Sequence, residues 1–395
     1  MKEWTKTTIG DLCDTISDTY KRNDLEVALI NTSDVLNGKV INHKFVPNQN
    51  LKGQFKKTFQ KNDILYSEIR PANKRFAYID FEETSRYIAS TKLMVLRPHK
   101  DKVEPRFLFY VLTTPNMLAE MQYLAETRSG TFPQITFLSE LAPAFVMLPD
   151  RETQKKIVSI LSALDDKIEL NKKINENLEQ QAQAIYKQMF IDNESTIPAT
   201  MADVALNITD GVHNTVRDDP EGNFLLLSCK NIKNGSLSIS STERRISKDT
   251  FEKLRRRTKL HKGDVLISSV GTVGELLMLN TDPINYEFQR SVAIVKPNPE
   301  IISSVYLYES LVFQKAKLIN AAHGAVQQCL FISDIAEFPI SIPYPKELQR
   351  FNDIVVPIFD IISVNETENQ RLVALRDALL PRLMSGELDV SDLDI

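Results

Sequence analysis

The 395-residue sequence has only three cysteines, Cys13, Cys229 and Cys329, far apart and with no CxxC pair. They suggest no disulfide framework and read as reduced thiols of a cytosolic protein. Five histidines are equally scattered and offer no zinc-ligand spacing. No apolar stretch reaches the roughly 18 to 20 residues of a membrane span. The opening MKEWTKTTIG has no apolar segment of the kind a secretory signal carries. A cytoplasmic chain without membrane contact is the expectation. Catalytic signatures are missing as well. There is no GxxxxGKS/T loop for nucleotide phosphates, and the GTVG at 271–274 is too short and lacks the following lysine. No (N/D/S)PP(Y/F/W) motif, S-adenosylmethionine-type glycine loop, HExxH or GxSxG occurs. A nuclease-like pattern forced through Asp264 and Glu275 lacks its lysine, and Asp165, Asp166 and Asp203 read as helix-surface and capping residues. No catalytic residue, metal site or bound cofactor is expected. The formal net charge of −4 argues mildly against nucleic acid, until the distribution of charge is considered.

What is present is ordinary globular composition, 42% hydrophobic and 25% charged, in a chain long enough for two or more cores. The chain repeats itself at an offset of about 194 residues. TIGDLCDTISD (8–18) matches TMADVALNITD (200–210), and LINTSDVLNGKV (29–40) matches LLSCKNIKNGSL (226–237). KNDILYS (61–67) matches KGDVLIS (262–268), and LRPHKDKVEPRFLF (96–109) matches VKPNPEIISSVYLY (295–308). GTFPQITFLSEL (130–141) matches GAVQQCLFISDI (324–335). Weak blocks recurring in the same order point to a tandem duplication.

Each copy opens with short apolar runs split by Gly, Pro and Asn, a strand-rich α/β head with one short helical stretch. Val40 and Leu237 follow Asn-Gly turns, which favour hairpins. Each copy closes with a long helix, roughly 152–190 and 347–384, patterned in heptads. The a positions are Ile157, Leu164, Asn171, Leu178 and Ile185, then Phe351, Ile358, Asn365, Leu372 and Leu379. The d positions include Ile160 and Ile174, then Ile354, Ile361 and Leu375. Sustained a/d spacing indicates a coiled coil rather than a helix packed only on its own head. Asn171 and Asn365 are expected to face one another in an antiparallel pair and fix its register. The alternative leaves both at the wet edge of the seam. A helix of about 38 residues is about 57 Å long.

The fold expected is therefore α+β: two strand-rich α/β heads separated by two long helices forming an antiparallel coiled coil, with an internal pseudo-two-fold repeat. The boundaries are 1–150 for the first head, 151–192 for its helix, 193–345 for the second head, and 346–395 for the last helix and acidic tail.

Positive charge is concentrated in the heads. The first carries Lys52, Lys56, Lys57 and Lys61 before its DILYS strand. Residues 243–262 of the second carry Arg244, Arg245, Lys248, Lys253, Arg255, Arg256, Arg257, Lys259 and Lys262 against three acids. Such clusters suit phosphates, although either alone is also what a solvated surface looks like. Loops beside the strands offer Arg70, Asn73, Lys74 and Arg75, and Thr272 between two glycines. Further candidates for DNA contact are Lys21, Arg22, Asn214, Arg217, Lys230, Gln289 and Arg290, then Thr131 with Gln134 and Gln327 with Gln328 as a matched pair. Arg, Asn and Gln can make bidentate contacts with base edges.

The stretch LVALRDALLPRLMSGELDV (372–390) resembles the C-terminal signature of type I restriction-modification DNA-specificity subunits. RETQKKIVSILSALDDKIELNKKINENLEQQAQAIYKQMF (151–190) resembles their central region, and NDILYSEIRP and KGDVLISSVGTVG resemble their target-recognition domains. One departure is PYPKELQR (343–350), where Leu348-Gln349 replaces a Glu-Gln of the family's helix entry. The resemblance implies that each head is a target-recognition domain reading half of a bipartite double-stranded DNA site. It implies helices that set the spacer and dock two methylation subunits, with restriction subunits joining, and S-adenosylmethionine and ATP with magnesium held by those partners. Two other classes fit the composition. A two-headed transcription regulator would bind DNA tightly as a single chain. A catalytic subunit with a disguised site would transfer methyl groups by itself.

Overall fold

The computed structural model describes residues 4–49, 51, 53–128, 132–192, 196–240, 243–324, 328–390 and 393. It divides into two compact units, Met1–Ile168 with Arg371–Ile395, and Glu169–Gln370. None of the helices among the described residues is long and apolar enough to cross a membrane.

The first unit is organised by β1 (Cys13–Ile16), β2 (Ile64–Ser67), β3 (Phe76–Tyr78) and β4 (Leu93–Pro98), ordered β1-β4-β2-β3 and antiparallel throughout. All of β2 is buried and β4 is buried but for Arg97, so both read as continuous apolar runs. A second sheet pairs Glu26–Ile30 in parallel with Tyr87–Ser90, flanked by Phe45–Pro47 and Phe55–Lys57. The apolar helix α1 (Pro105–Leu112) and helix α2 (Pro115–Arg128) cover the other face of the first sheet, and Phe107, Leu108 and Leu112 join Ile64, Met94 and Leu96 in one core. The hairpin turn at Asn37-Gly38 has positive φ at both residues (47° and 93°), which Asn and Gly tolerate best. Asn234-Gly235 repeats this in the second unit (49° and 74°).

In the second unit β5 (Ala205–Asp210), β6 (Val265–Ser268), β7 (Leu276–Met278) and β8 (Val292–Pro297) stand in the order β5-β8-β6-β7, reproducing the first sheet strand for strand. The second sheet differs. Phe224–Leu227 again runs parallel to Tyr286–Phe288 and antiparallel to Arg244–Ile246. Where the first unit has the strand Phe55–Lys57, the second has helix α3 (Lys248–Thr258) beside Tyr286–Phe288. Helices α4 (Ser304–Phe313) and α5 (Lys315–Asn320) take the places of α1 and α2.

The long helices are Arg151–Tyr186, 36 residues, and Pro345–Met384, 40 residues. Within the first unit, Ile157 and Leu161 share a core with Leu380 and Leu383, and the Arg376 guanidinium donates to Asp165 at 3.0 Å. Within the second, Ala182, Tyr186 and Phe190 share a core with Phe351, Val355, Phe359 and Ile362. Rising numbers on one helix meet falling numbers on the other, so both segments pair antiparallel. The expected d row holds at Ile160, which packs against the first core, and is corrected elsewhere. Ile174, Ile354, Ile361 and Leu375 are 38%, 50%, 50% and 48% exposed. The row that turns inward lies four residues after a, at Leu161, Ile168, Asn175 and Ala182, and at Val355, Ile362 and Leu383. The pairing of Asn171 with Asn365 is corrected too. Asn171 Nδ2 donates to Glu368 at 2.7 Å and to Asn369 at 3.0 Å, whereas Asn365 Nδ2 donates to Asn175 at 2.8 Å. Each asparagine therefore meets the one a turn beyond its own repeat equivalent.

Candidate nucleic-acid interface

In the first unit, the loop between β2 and β3 forms a short turn over Pro71–Asn73. The Ala72 amide donates to Gln122 of α2 at 3.1 Å, the Arg70 amide donates to the Pro133 carbonyl at 3.2 Å, and Pro71 is buried. Arg70, Asn73 and Lys74 stand exposed on this fixed turn. Gln134 lies beside it, bridged to Ile69, with its side chain accepting from Lys92 at 3.3 Å. Lys21 and Lys56 are exposed, and Arg22 pairs with Asp24 at 3.1 Å. Two expected DNA contacts are corrected. Lys57 is half-buried and donates to the Thr91 and Leu93 carbonyls at 3.1 and 2.8 Å, and burial pulls its ammonium below the usual lysine range. Arg75 donates to the Ser33 and Val35 carbonyls at 3.1 and 3.3 Å. Both cations serve the head's own framework. Lys52, Thr131 and Gln327 lie outside the described residues.

In the second unit α3 carries the basic cluster, and its two faces have different work. Phe251 stacks on Phe224 at 4.2 Å between ring centroids. Arg255 is paired with the fully buried Glu287, which also accepts from Thr258 at 2.9 Å, and it donates to the Tyr286 carbonyl at 2.9 Å. Arg255 is thus corrected from a DNA contact to the anchor of the helix. Arg257 donates to the Asp210 carbonyl at 2.7 Å but stays exposed, as does Arg256, whose guanidinium reaches the Glu252 carbonyl at 3.3 Å. Arg244 bonds Asp218 and the Val216 carbonyl, each at 2.7 Å, and Arg245 the Gly222 carbonyl at 3.0 Å. Lys230 pairs with Glu243 at 3.0 Å. Arg244 and Arg245 tie down the loop over residues 213–223, on which Asn214 and Arg217 are exposed.

Behind α3, the Arg290 amide donates to the Val212 carbonyl at 3.1 Å and Gln289 bridges Val212, bringing both to the same edge. Arg290, Thr272 and Gln328 are exposed and Gln289 half-buried. The repeat alignment slips by one here. The Ile135 amide donates to the Glu68 carbonyl, and Leu330 to Ser269, each at 2.8 Å. The counterpart of Gln134 is therefore Cys329, not Gln328.

Two duplicated heads, with unlike polar loops on one scaffold, suit a protein that reads two different stretches of a polymer. The type I restriction modification DNA specificity domain matches residues 1–180 and 220–374. The chain belongs to that family. Over 98% of its length it is 30% identical to the HindI specificity subunit of a Haemophilus influenzae type I restriction enzyme, matching all of that protein. It is 28% identical to the MjaIX specificity subunit of Methanocaldococcus jannaschii over 74% of this chain and 71% of that one. A crystal structure of a type I S subunit from M. genitalium shares the fold, with a TM-score of 0.53 at 17% identity, covering 99% of this chain and 97% of that one. As a specificity subunit, the chain is the DNA-recognising, non-catalytic component of a type I system. Asp203 accordingly serves as a helix cap, accepting from the Thr200 amide and hydroxyl at 2.8 and 2.7 Å, and Asp165 accepts from Tyr110 at 2.7 Å. One cation beside the candidate residues was not singled out from the sequence: Lys92, exposed next to Gln134 and 3.6 Å from Glu68. Its signal was its place two residues after the strand Tyr87–Ser90, at the position of Ser291 in the other copy.

Proposed function

We propose that each head reads one half of a bipartite, gapped double-stranded DNA site, and that the two long helices set the spacer between the halves. The duplication carries this reading: one sheet order occurs twice, with different exposed cations and amides around it. Arg256, Arg257, Lys56 and Lys21 supply phosphate contacts, and Arg70, Asn73, Lys74, Gln134, Asn214, Arg217, Gln289, Arg290, Thr272 and Gln328 supply the pool from which base contacts are drawn. Two methylation subunits dock on the helices. Support comes from apolar side chains that face solvent there, Leu170, Ile354, Ile361 and Val364, exposed by 52%, 50%, 50% and 67%. Those partners carry S-adenosylmethionine, restriction subunits bring ATP and magnesium, and the complex works in the cytoplasm.

The test is methylation sequencing of DNA from a host that naturally lacks type I systems. The host expresses this chain with its methylation subunit, or that subunit alone. A new adenine mark at a two-part gapped motif, present only with this chain, is the expected result. An assembled complex that leaves no mark overturns the reading and favours a two-headed architectural protein.

A further inference from the structure

The two heads place the same loop differently. The Ser67 amide donates to the Arg75 carbonyl at 2.9 Å, and the Ser268 amide to the Glu275 carbonyl at 2.8 Å, so the β2–β3 and β6–β7 loops start and end at equivalent points. Each loop has two residues in the left-handed region. In the second unit they are Gly271 (φ 84°) and Gly274 (φ 86°). In the first they are Arg70 (φ 45°) and Lys74 (φ 54°). Glycine adopts that conformation freely, whereas a side chain there costs stability. Arg70 also precedes Pro71, a position that sterically prefers extended backbone, so its conformation is doubly disfavoured.

Nothing inside the protein compensates through these side chains. Among the described residues, neither the Arg70 guanidinium nor the Lys74 ammonium has a hydrogen-bond or ion-pair partner, and both are exposed. The backbone around them is nevertheless held, by Gln122 at Ala72, by Pro133 at Arg70, and by the Asn37 amide donating to the Lys74 carbonyl at 3.0 Å. The turn is a rigid mount for Arg70, Asn73 and Lys74, three side chains able to address base edges in the major groove. The second head carries glycine at both of these positions, and at the counterpart of Lys74 a side chain is sterically blocked. A Cβ at Gly274 would meet Ile319 of α5 at 2.5 Å, and Val273 between the glycines is buried. That head carries α3 instead.

We infer that the Arg70–Lys74 turn determines base specificity in the first head's half-site, and that the second head has no equivalent mount of long basic side chains on its loop. This rests on the proposed two-half reading. The strain at Arg70 and Lys74 is kept because these side chains contact DNA.

The experiment uses the complex with its methylation subunit and compares wild type with Arg70→Gly, Lys74→Gly and Arg70→Ala by methylation sequencing, alongside thermal melts. Glycine removes the side chain and the strain together, and alanine removes only the side chain. The expected result is roughly tenfold weaker discrimination at one or two bases of one half-site, with the other half unchanged. Both glycine variants should melt no lower than wild type, and Arg70→Ala should relax the same bases as Arg70→Gly. Full stringency in both halves with all three variants overturns the inference while leaving the two-half reading intact. Equal loss in both halves overturns it as well, since the turn would then act on assembly. Failure of the wild type to mark a gapped motif removes the reading itself.

Discussion

Glu309, on α4 of the second unit, is 1% exposed, and neither of its carboxylate oxygens has a partner among the described residues. Its neighbours are of the wrong sign. Glu179 from the first long helix faces it, Glu366 from the last helix acts on Glu179, and Tyr308 and Tyr186 complete the surroundings. Burial first, and then Glu179, push Glu309 from 4.5 up to about 8; burial, with Glu366 and Glu176, pushes Glu179 to about 7. Both folded values lie above the unfolded one. The stability they contribute is therefore fully present below about pH 4.5 and is lost as pH rises through 7 to 8. Denaturant melts of the chain should show the second unit less stable at pH 8 than at pH 5. Glu309→Gln should flatten that dependence and add on the order of 2 to 4 kcal/mol at pH 8. An unchanged pH profile in the variant would remove Glu309 as its source. The sequence gives no hint of this, because the equivalent residue of the other copy is Tyr110, whose hydroxyl donates to Asp165. The same difficulty separates Arg255 from Arg256. They are adjacent and identical in type, and only Glu287, distant in sequence, makes one an anchor and leaves the other at the surface.

At the scale of elements, the central strands Ile64–Ser67, Leu93–Pro98, Val265–Ser268 and Val292–Pro297 were legible as short buried apolar runs bounded by turn residues. The helix seam was half legible. A 3.6-residue helix places both a+3 and a+4 near a, and the choice between them follows burial. Here the isoleucines at a+3, Ile174, Ile354 and Ile361, are turned outward, and the a+4 row contains Asn175, Ala182 and Asn369, which look polar or small. Apolarity alone chose the wrong row because three of its isoleucines stay at the surface while polar and small side chains fill the seam. The inward asparagines then bear on register. Asn175 is 9% exposed, and its side-chain oxygen accepts from Asn365 while its amide reaches the Ile362 carbonyl at 3.4 Å. Asn175→Leu leaves the Asn365 amide without that acceptor and should cost about 1 to 2 kcal/mol. Adding Asn365→Leu should recover most of it, as an apolar pair replaces a polar one. A double-mutant cycle with coupling near zero would exclude this pair as a register device.

For the whole molecule, duplication converts one recognition scaffold into two that diverge independently, as the exchange of the strand Phe55–Lys57 for α3 already displays. If the heads alone carry the base code and the helices alone carry the spacing, the two properties separate on mutation. Removing one matched heptad from each long helix keeps the a row and the a+4 row in phase, because both repeat every seven residues, and so preserves the seam. The assembled complex should then methylate a motif with the same bases in both halves and a different number of unread base pairs between them. Seven residues are about 10 Å of helix, and B-DNA rises about 3.4 Å per base pair, so the change is about three base pairs or fewer, depending on the tilt of the helices to the DNA axis. Methylation sequencing reads both quantities from one sample. An unchanged gap with unchanged bases would separate the helices from spacing, and altered bases would mean that the helices hold the recognition loops in place.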